Sequence, residues 1–216
     1  MGDFVKEILN KIRTTDKNMK IENKILNTFF IFLLGIILGI FSKWLDNMSI
    51  NDTIWWQNIL GILDLRNVFS LFGIWLFIAI TISVFSKTPL RASLNVFLFF
   101  IGMTTSYHLY TIYFSGFNPM KYMIIWYGIT VISPILAYIC WYAKSQSKIS
   151  MLISSLILCV MLISSFSIGI WYFDLKSIID LIIFIGTILV LYVKPKNTIY
   201  SLIIALVLSF VVSAIL

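Results

Sequence analysis

The feature that most constrains this chain is a series of apolar runs, each about long enough to cross a lipid bilayer. Residues 25–42, 67–86, 92–120, 122–143, 149–173, 177–193 and 197–216 hold one Asp or Glu among them, Asp180, and no Lys or Arg. A helix needs roughly 20 residues, within about 17–25, to cross the hydrocarbon core. No water pairs with the backbone there, so each run is expected to be an α-helix. Composition agrees, at 60% hydrophobic and 12% charged residues, against about 25% charged in a soluble domain. The expected fold is all-α: a polytopic bundle of about seven transmembrane helices forming one domain over residues 25–216. Residues 1–24 form an amphipathic, basic tail. That tail has no early apolar core leading to a small-residue cleavage site, so a cleavable signal peptide is not expected.

Local signals refine the layout. Thr88 and Pro89 suit the cap and first turn of the third helix, and SGFNPM at 115–120 reads as the turn that ends it. Pro134 falls inside the fourth helix, where it removes a backbone hydrogen bond and is expected to bend the helix. In the long connection 43–66, Thr53, Gln57, Gly61 and Asp64 recur at helical spacing, while Ile54, Trp55, Ile59, Leu60 and Leu63 cover the rest. A short amphipathic helix, interfacial or folded back as a lid, is expected there. Gly35 and Gly39 form a small-xxx-small pair that allows close helix contact, within the chain or with a partner. Trp44, Trp55, Trp56, Trp126, Trp141 and Trp171 lie near expected helix ends or in the long connection, as an aromatic belt would place them, and Trp75 alone is mid-span.

Orientation follows from the cations. With the N-terminus inside, the inner side holds Lys6, Lys11, Arg13, Lys17, Lys20 and Lys24 of the tail, then Lys87, Arg91, Lys144, Lys148, Lys194 and Lys196. The outer side keeps Lys43, Arg66, Lys121 and Lys176 of the chain's 16 basic residues. Positive residues favour the cytoplasmic side, so the N-terminus is expected in the cytoplasm and, with seven spans, the C-terminus outside. Segment 177–193 is the weakest span, being short and carrying Asp180. The net charge of +7 lies in short loops and the tail. This fits topology signals and anionic lipid at the inner face rather than nucleic acid. Phe4, Val5, Ile8 and Ile12 repeat at helical spacing among cations, so the tail is expected on the inner leaflet.

Ionisable residues at membrane depth are costly and mark functional positions by default. His108 and Asp180 qualify, both toward the outer side. His108 sits in the polar run 104–108, with Thr104 and Thr111 on its helical face and Tyr107 beside it. Asp180 has Lys176 at i−4, so an ion pair or a reach to water is the structural alternative to a ligand role. Arg66 and Asn67, Trp126 and Tyr127, Ser164, Ser165, Ser167 and Asp174 also fall in the outer half. Together these groups would make an outward pocket with aromatic walls and few polar anchors. The ligand-binding candidates are therefore His108, Asp180, Thr104, Tyr107, Thr111, Arg66, Trp126 and Tyr127, with Gly35, Gly39 and Pro134 in helix packing. No metal site is expected, since one His and distant acids do not make a ligand set. Cys140 and Cys159 lie inside apolar runs without CxxC spacing and read as inert thiols. HExxH, GxSxG, P-loop and Rossmann signatures are missing, which weighs against an ATPase subunit or metalloprotease; no cofactor is expected and no catalytic residue is assigned, while an unfamiliar membrane enzyme stays open.

The stretches PLRASLNVFLFFIGMTTSYHLY and ISPILAYICWYAK, with GIILGIFSKWLD upstream, resemble an uncharacterised family of small polytopic membrane proteins from Gram-positive bacteria. That resemblance implies a bacterial plasma membrane and carries no activity or catalytic residue. In size and architecture the chain is also similar to the substrate-binding subunits of energy-coupling-factor importers, in which a small-residue face of the first helix meets the transport partner. Those subunits usually have six helices rather than seven. The expected roles are a small-solute binding or transport protein open to the outer face, a membrane interaction, immunity or assembly protein, or a lipid-active enzyme or flippase.

The orientation is testable. Single cysteines placed at Ser145 and at Ser115 in a Cys140→Ser/Cys159→Ser background should differ in whole-cell labelling by an impermeant maleimide. Ser115 is expected to react and Ser145 to stay protected until the membrane is opened.

Overall fold

The computed structural model describes residues 9–10, 12–15, 20–49, 53–169 and 171–215. Among them the chain is an all-α membrane bundle: α1 (Ile21–Asn47), α2 (Trp55–Ile62), α3 (Leu65–Ser70), α4 (Phe72–Phe85), α5 (Pro89–Ser115), α6 (Met120–Trp141), α7 (Lys148–Ser165), α8 (Ile178–Leu191) and α9 (Pro195–Ile215). One antiparallel hairpin interrupts the helices, β1 (Phe166–Ile168) paired with β2 (Phe173–Leu175). Each of the seven expected runs contributes a helix, but four, not seven, are long and apolar enough to cross a bilayer: α1, α6, α7 and α9. The reason differs among the other three. α4 and α8 have 14 residues each, about 21 Å at 1.5 Å per residue, short of a hydrocarbon core of roughly 30 Å. α5 has 27 residues, but its second half, with Thr104, Thr105, Ser106, Tyr107 and His108, is polar.

Two further expectations fail at helix ends. The run 67–86 does not form one helix. It breaks at Leu71, an extended residue with φ −93° and ψ 160° that ends α3 and starts α4. Trp75 explains how the break is tolerated: its indole N–H donates to the Phe69 carbonyl at 2.9 Å, while the Ser70 hydroxyl takes the Arg66 carbonyl at 2.9 Å. Backbone groups freed by a break in an apolar setting need such substitutes. The run 149–173 likewise leaves the helical path at Phe166, where the chain enters the hairpin. Lys176 then donates to the carbonyls of Ile163 and Ser164, at 2.8 and 3.0 Å, and closes the end of α7.

Other local expectations hold. Thr88 caps α5 by accepting from the Arg91 N–H at 3.3 Å, Pro89 starts the helix, and Gly116 ends it at φ 73° in the left-handed region. The amphipathic helix of the long connection is α2. α6 runs through Pro134. Proline there has no N–H for the carbonyl of Thr130, and the Ser133 hydroxyl donates to that carbonyl instead, at 2.8 Å.

The tightest pairing joins α1 to α5, which lie along each other over most of their length. Gly35 and Gly39 work inside the chain. A Cβ on Gly35 would overlap the carbonyl of Phe99, one on Gly39 would overlap Ser106 and the Met103 carbonyl, and one on Gly102 would lie 2.7 Å from the Phe32 carbonyl. Small residues from both helices thus let the backbones meet. The same interface carries a polar lattice. Asn95, 1% exposed, accepts from Thr28 at 2.8 Å and donates to Asn27 at 3.3 Å, and Arg91 donates to the Lys24 carbonyl at 3.0 Å. α4 is the central helix, in contact with α5, α6, α7 and α8.

The end of the bundle that carries Lys87, Lys144 and Lys194 is held by the N-terminal segment. Ile12 is buried with Ala92, Trp141 and Tyr142. Arg13 donates to the carbonyls of Trp141 and Val84 and stacks 4.1 Å from the Trp141 ring. Lys144 donates to the Val190 carbonyl at 2.9 Å. Three helix C-termini, those of α4, α6 and α8, meet two cations there, as the negative ends of helix dipoles favour. Burial pulls both the Arg13 and Lys144 pKa below their ordinary values, and for Lys144 the nearby Arg13 charge adds to this. Ile12 and Arg13 therefore pack on the bundle, where the sequence suggested a leaflet surface; Phe4, Val5, Ile8, Lys6, Lys11 and Lys17 lie outside the described residues. Trp126 and Trp141 also depart from the aromatic belt, being buried at 6% and 1% exposure, whereas Trp44, Trp55, Trp56 and Trp171 are exposed.

The glycine contact yields a sharp contrast. Gly39→Ala should destabilise the protein by about 3 kcal/mol in chemical denaturation from detergent, as overpacking does. Gly128→Ala, where a Cβ meets nothing within 4 Å, should be near neutral.

Candidate functional site

The polar candidates of the outer half separate into three places around the end of the bundle opposite the basic one. At the first, His108 on α5 faces the start of α6. Its Nε2 lies 2.9 Å from Asn118 Oδ1 and its Nδ1 2.9 Å from the Tyr127 hydroxyl. The Asn118 oxygen can only accept, so Nε2 donates to it, and Nδ1 pairs with the Tyr127 hydroxyl. Both nitrogens are thus occupied in tying α5 to α6. Thr104 and Thr111 share that helical spacing but are buried, and each donates to a carbonyl of its own helix, Phe100 at 2.7 Å and Tyr107 at 2.8 Å.

Asp180 occupies the second place, on the first turn of α8 beside the first turn of α4. A Cβ on Gly73 would lie 2.9 Å from Ser164 Oγ and 3.7 Å from Asp180 Oδ1. The positive end of the α4 dipole is a favourable setting for a carboxylate. Lys176 does not take Asp180 as its hydrogen-bond partner, because its amine is spent on the end of α7. Ser165, 1% exposed, has no partner for its hydroxyl among the described residues, and Ser167 and Asp174 face each other across the hairpin register. Arg66 is elsewhere again: it donates to the Met48 carbonyl and holds the connection after α1, while Asn67 donates to Asp64 at 2.7 Å. His108 and Asp180 accordingly do not converge: Tyr127 pairs with His108, and Arg66 joins neither.

The third place does form a cavity. It is lined by Ser42, Phe69, Ser70, Trp75, Met103, Tyr107, Tyr122, Met123 and Trp126, from α1, α3, α4, α5 and α6. Of the sequence candidates, Tyr107 and Trp126 line it. As packed it has a volume of about 10 Å³, roughly the minimum for one water molecule. The aromatic walls interlock: Phe69 and Trp75 meet edge to face at 5.7 Å, Trp75 and Trp126 at 6.4 Å, and Tyr122 and Trp126 at 6.4 Å. Ser42 is 2% exposed and brings a small polar side chain of α1 to this wall.

A charged pair sits against this cavity, and the sequence reading missed it. Asp46 accepts from the Tyr107 hydroxyl on Oδ2 at 2.7 Å, and its Oδ1 lies 3.3 Å from the Ser70 hydroxyl, which shares its one proton with the nearer Arg66 carbonyl, so two lining residues face one carboxylate. Lys43 Nζ lies 3.9 Å from Oδ2 and 5.5 Å from the Tyr107 and Phe117 ring centroids. Lys43 is 8% exposed. In the sequence both charges look like the polar flank of the first span. The available signal was their i, i+3 spacing around Trp44, which puts both on one helical face. Among the described residues no group of three His, Cys, Asp or Glu side chains could hold a metal ion.

Comparisons with known protein families, with curated proteins and with solved structures return no match to this chain.

The three places should respond differently to mutation. Tyr107→Phe removes a hydrogen bond to a charged group and is expected to cost about 1.5–3 kcal/mol. His108→Ala, at the rim, should cost about 1 kcal/mol. Unfolding in detergent micelles checks the order.

Proposed function

We propose that this protein is a non-enzymatic membrane protein that binds a small solute from the outer side of a bacterial plasma membrane, as a receptor or as part of a transport route. The observation that supports this reading is the convergence of five helices on one aromatic-walled cavity with a buried serine, Ser42, and a carboxylate behind its polar wall. Apolar walls with a few placed polar groups are the usual make-up of a small-molecule site. The broken α3–α4 segment forms part of that wall through Phe69, Ser70 and Trp75, and irregular backbone at membrane depth is tolerated where it is enclosed by protein or lines a cavity. Under the orientation read from the cations, this end of the bundle faces outward.

One observation favours a second reading, an interaction or assembly protein with no small ligand. As packed, the cavity takes about one water, so solute entry requires the α3–α4 break or the end of α1 to move. Gly35 and Gly39 do not serve that reading, because α5 covers them.

A thermal-stability screen of the purified protein against small metabolites separates the two. Solute binding predicts a hit that also changes the fluorescence of Trp75 and Trp126, and that is lost in Trp126→Ala. A screen without hits, together with a specific partner recovered by cross-linking in native membranes, would replace it with the interaction reading.

A further inference from the structure

We propose that the ligand of this cavity is a small organic ammonium ion, and that the Lys43 ammonium is the internal cation it displaces. This rests on the solute-binding reading and names its substrate class. The first argument is what the site already holds. A positive charge that is 8% exposed is kept beside two aromatic faces at 5.5 Å and a carboxylate at 3.9 Å. Ring quadrupoles attract cations at such distances, more so when water is excluded. The hold is weak in detail. At 3.9 Å the Lys43–Asp46 pair is beyond hydrogen-bond distance, and Lys43 makes no hydrogen bond to a described residue. The site selects a cation without satisfying it.

The second argument is the chemistry of the lining. No Lys, Arg or His lines the cavity, so an anion has nothing to meet there. The polar groups are two serine and two tyrosine hydroxyls and two indole N–H groups, of which Tyr107 and Ser70 face Asp46, Trp75 donates to the Phe69 carbonyl and Trp126 pairs with Tyr122. That set is too small to recognise a polyhydroxylated neutral solute, whose buried hydroxyls would be left unpaired. Phe69, Trp75, Tyr122 and Trp126 supply π faces, and Asp46 supplies the countercharge through the wall they share. A compact cation with a short apolar body fits this inventory. Lys43 and Tyr107 link the two halves, since Tyr107 both lines the cavity and carries the Lys43 contact. A ligand ammonium drawn to Asp46 therefore competes with Lys43 by charge.

The test uses full-length protein in phosphatidylglycerol nanodiscs, which carry no headgroup ammonium. Choline and tetramethylammonium are titrated against the neutral isostere 3,3-dimethyl-1-butanol, with tryptophan fluorescence as the readout. The cations are expected to bind at least about tenfold more tightly than the neutral analogue, the equivalent of 1.4 kcal/mol. Lys43→Met is expected to tighten cation binding by about tenfold, and Asp46→Asn to abolish it. Should Asp46→Asn fail to fold, Lys43→Met alone decides, because it removes a charge and keeps the apolar stem. Equal binding of the neutral isostere, or unchanged cation affinity in Lys43→Met, overturns the ammonium assignment and leaves the solute-binding reading standing. No binding of any probe to either protein overturns both. Repeating the titration in phosphatidylethanolamine nanodiscs separates two sources of the same chemistry. Weakened choline binding there supports the assignment with a lipid headgroup as the ligand, and unchanged binding supports it with a free amine.

Discussion

Free carbonyls at helix ends set the terms for this structure. In an apolar surrounding each one needs a donor, and the chain supplies donors from side chains at the places where regular helix stops. Trp75 serves the end of α3, Ser133 the gap left by Pro134, and Lys176 the end of α7. Arg13 and Lys144 serve the ends of α4, α6 and α8. Because these donors are in place, two helices of only 14 residues can stand among longer ones. The central helix α4 can begin directly at the break that ends α3.

That break is what brings the candidate site together. A continuous helix over residues 67–86 would carry Phe69, Ser70 and Trp75 along one straight axis. With the chain extended at Leu71, Phe69 and Ser70 face the same cavity as Trp75, and Ser70 reaches the carboxylate of Asp46. α1 contributes Asp46, Lys43 and Ser42 because Gly35 and Gly39 let it lie against α5. Tyr107 on α5 then meets Asp46 across that contact. The packing of two glycines and the position of a charge pair are thus one arrangement.

Buried polarity is distributed by role in this bundle. Asn95 and Arg91 tie α1 to α5 near the basic end, and His108 ties α5 to α6 near the other. These are saturated groups, with partners for the atoms that matter. The Lys43 ammonium is the less satisfied one, 3.9 Å from its carboxylate, and it lies beside the aromatic cavity. Asp180 and Ser165 lie apart from it, against the start of α4 and the end of α7. Intramembrane polarity alone, the criterion that singled out His108 and Asp180, does not distinguish a tie between helices from a group left available to a ligand. The set of partners does.

The sequence by itself determined the class of fold and most of the punctuation. Long uncharged runs in a chain this apolar can only be helices in lipid, and Thr88–Pro89, Gly116 and the helix at Trp55–Ile62 follow from local backbone preferences that need no neighbours. The close approach at Gly35 and Gly39 was legible for the same reason, since only small residues permit it. Tertiary structure decided which runs are long enough to span, because the ends of α4 and α8 are set by donors such as Trp75 and Lys144 that come from elsewhere in the chain or from across a break. It also decided the site. Tyr107 and Trp126 were visible as polar and aromatic residues of the outer half. Their convergence with Ser42, Ser70 and Asp46 depends on five helices meeting, and no spacing within one helix encodes that.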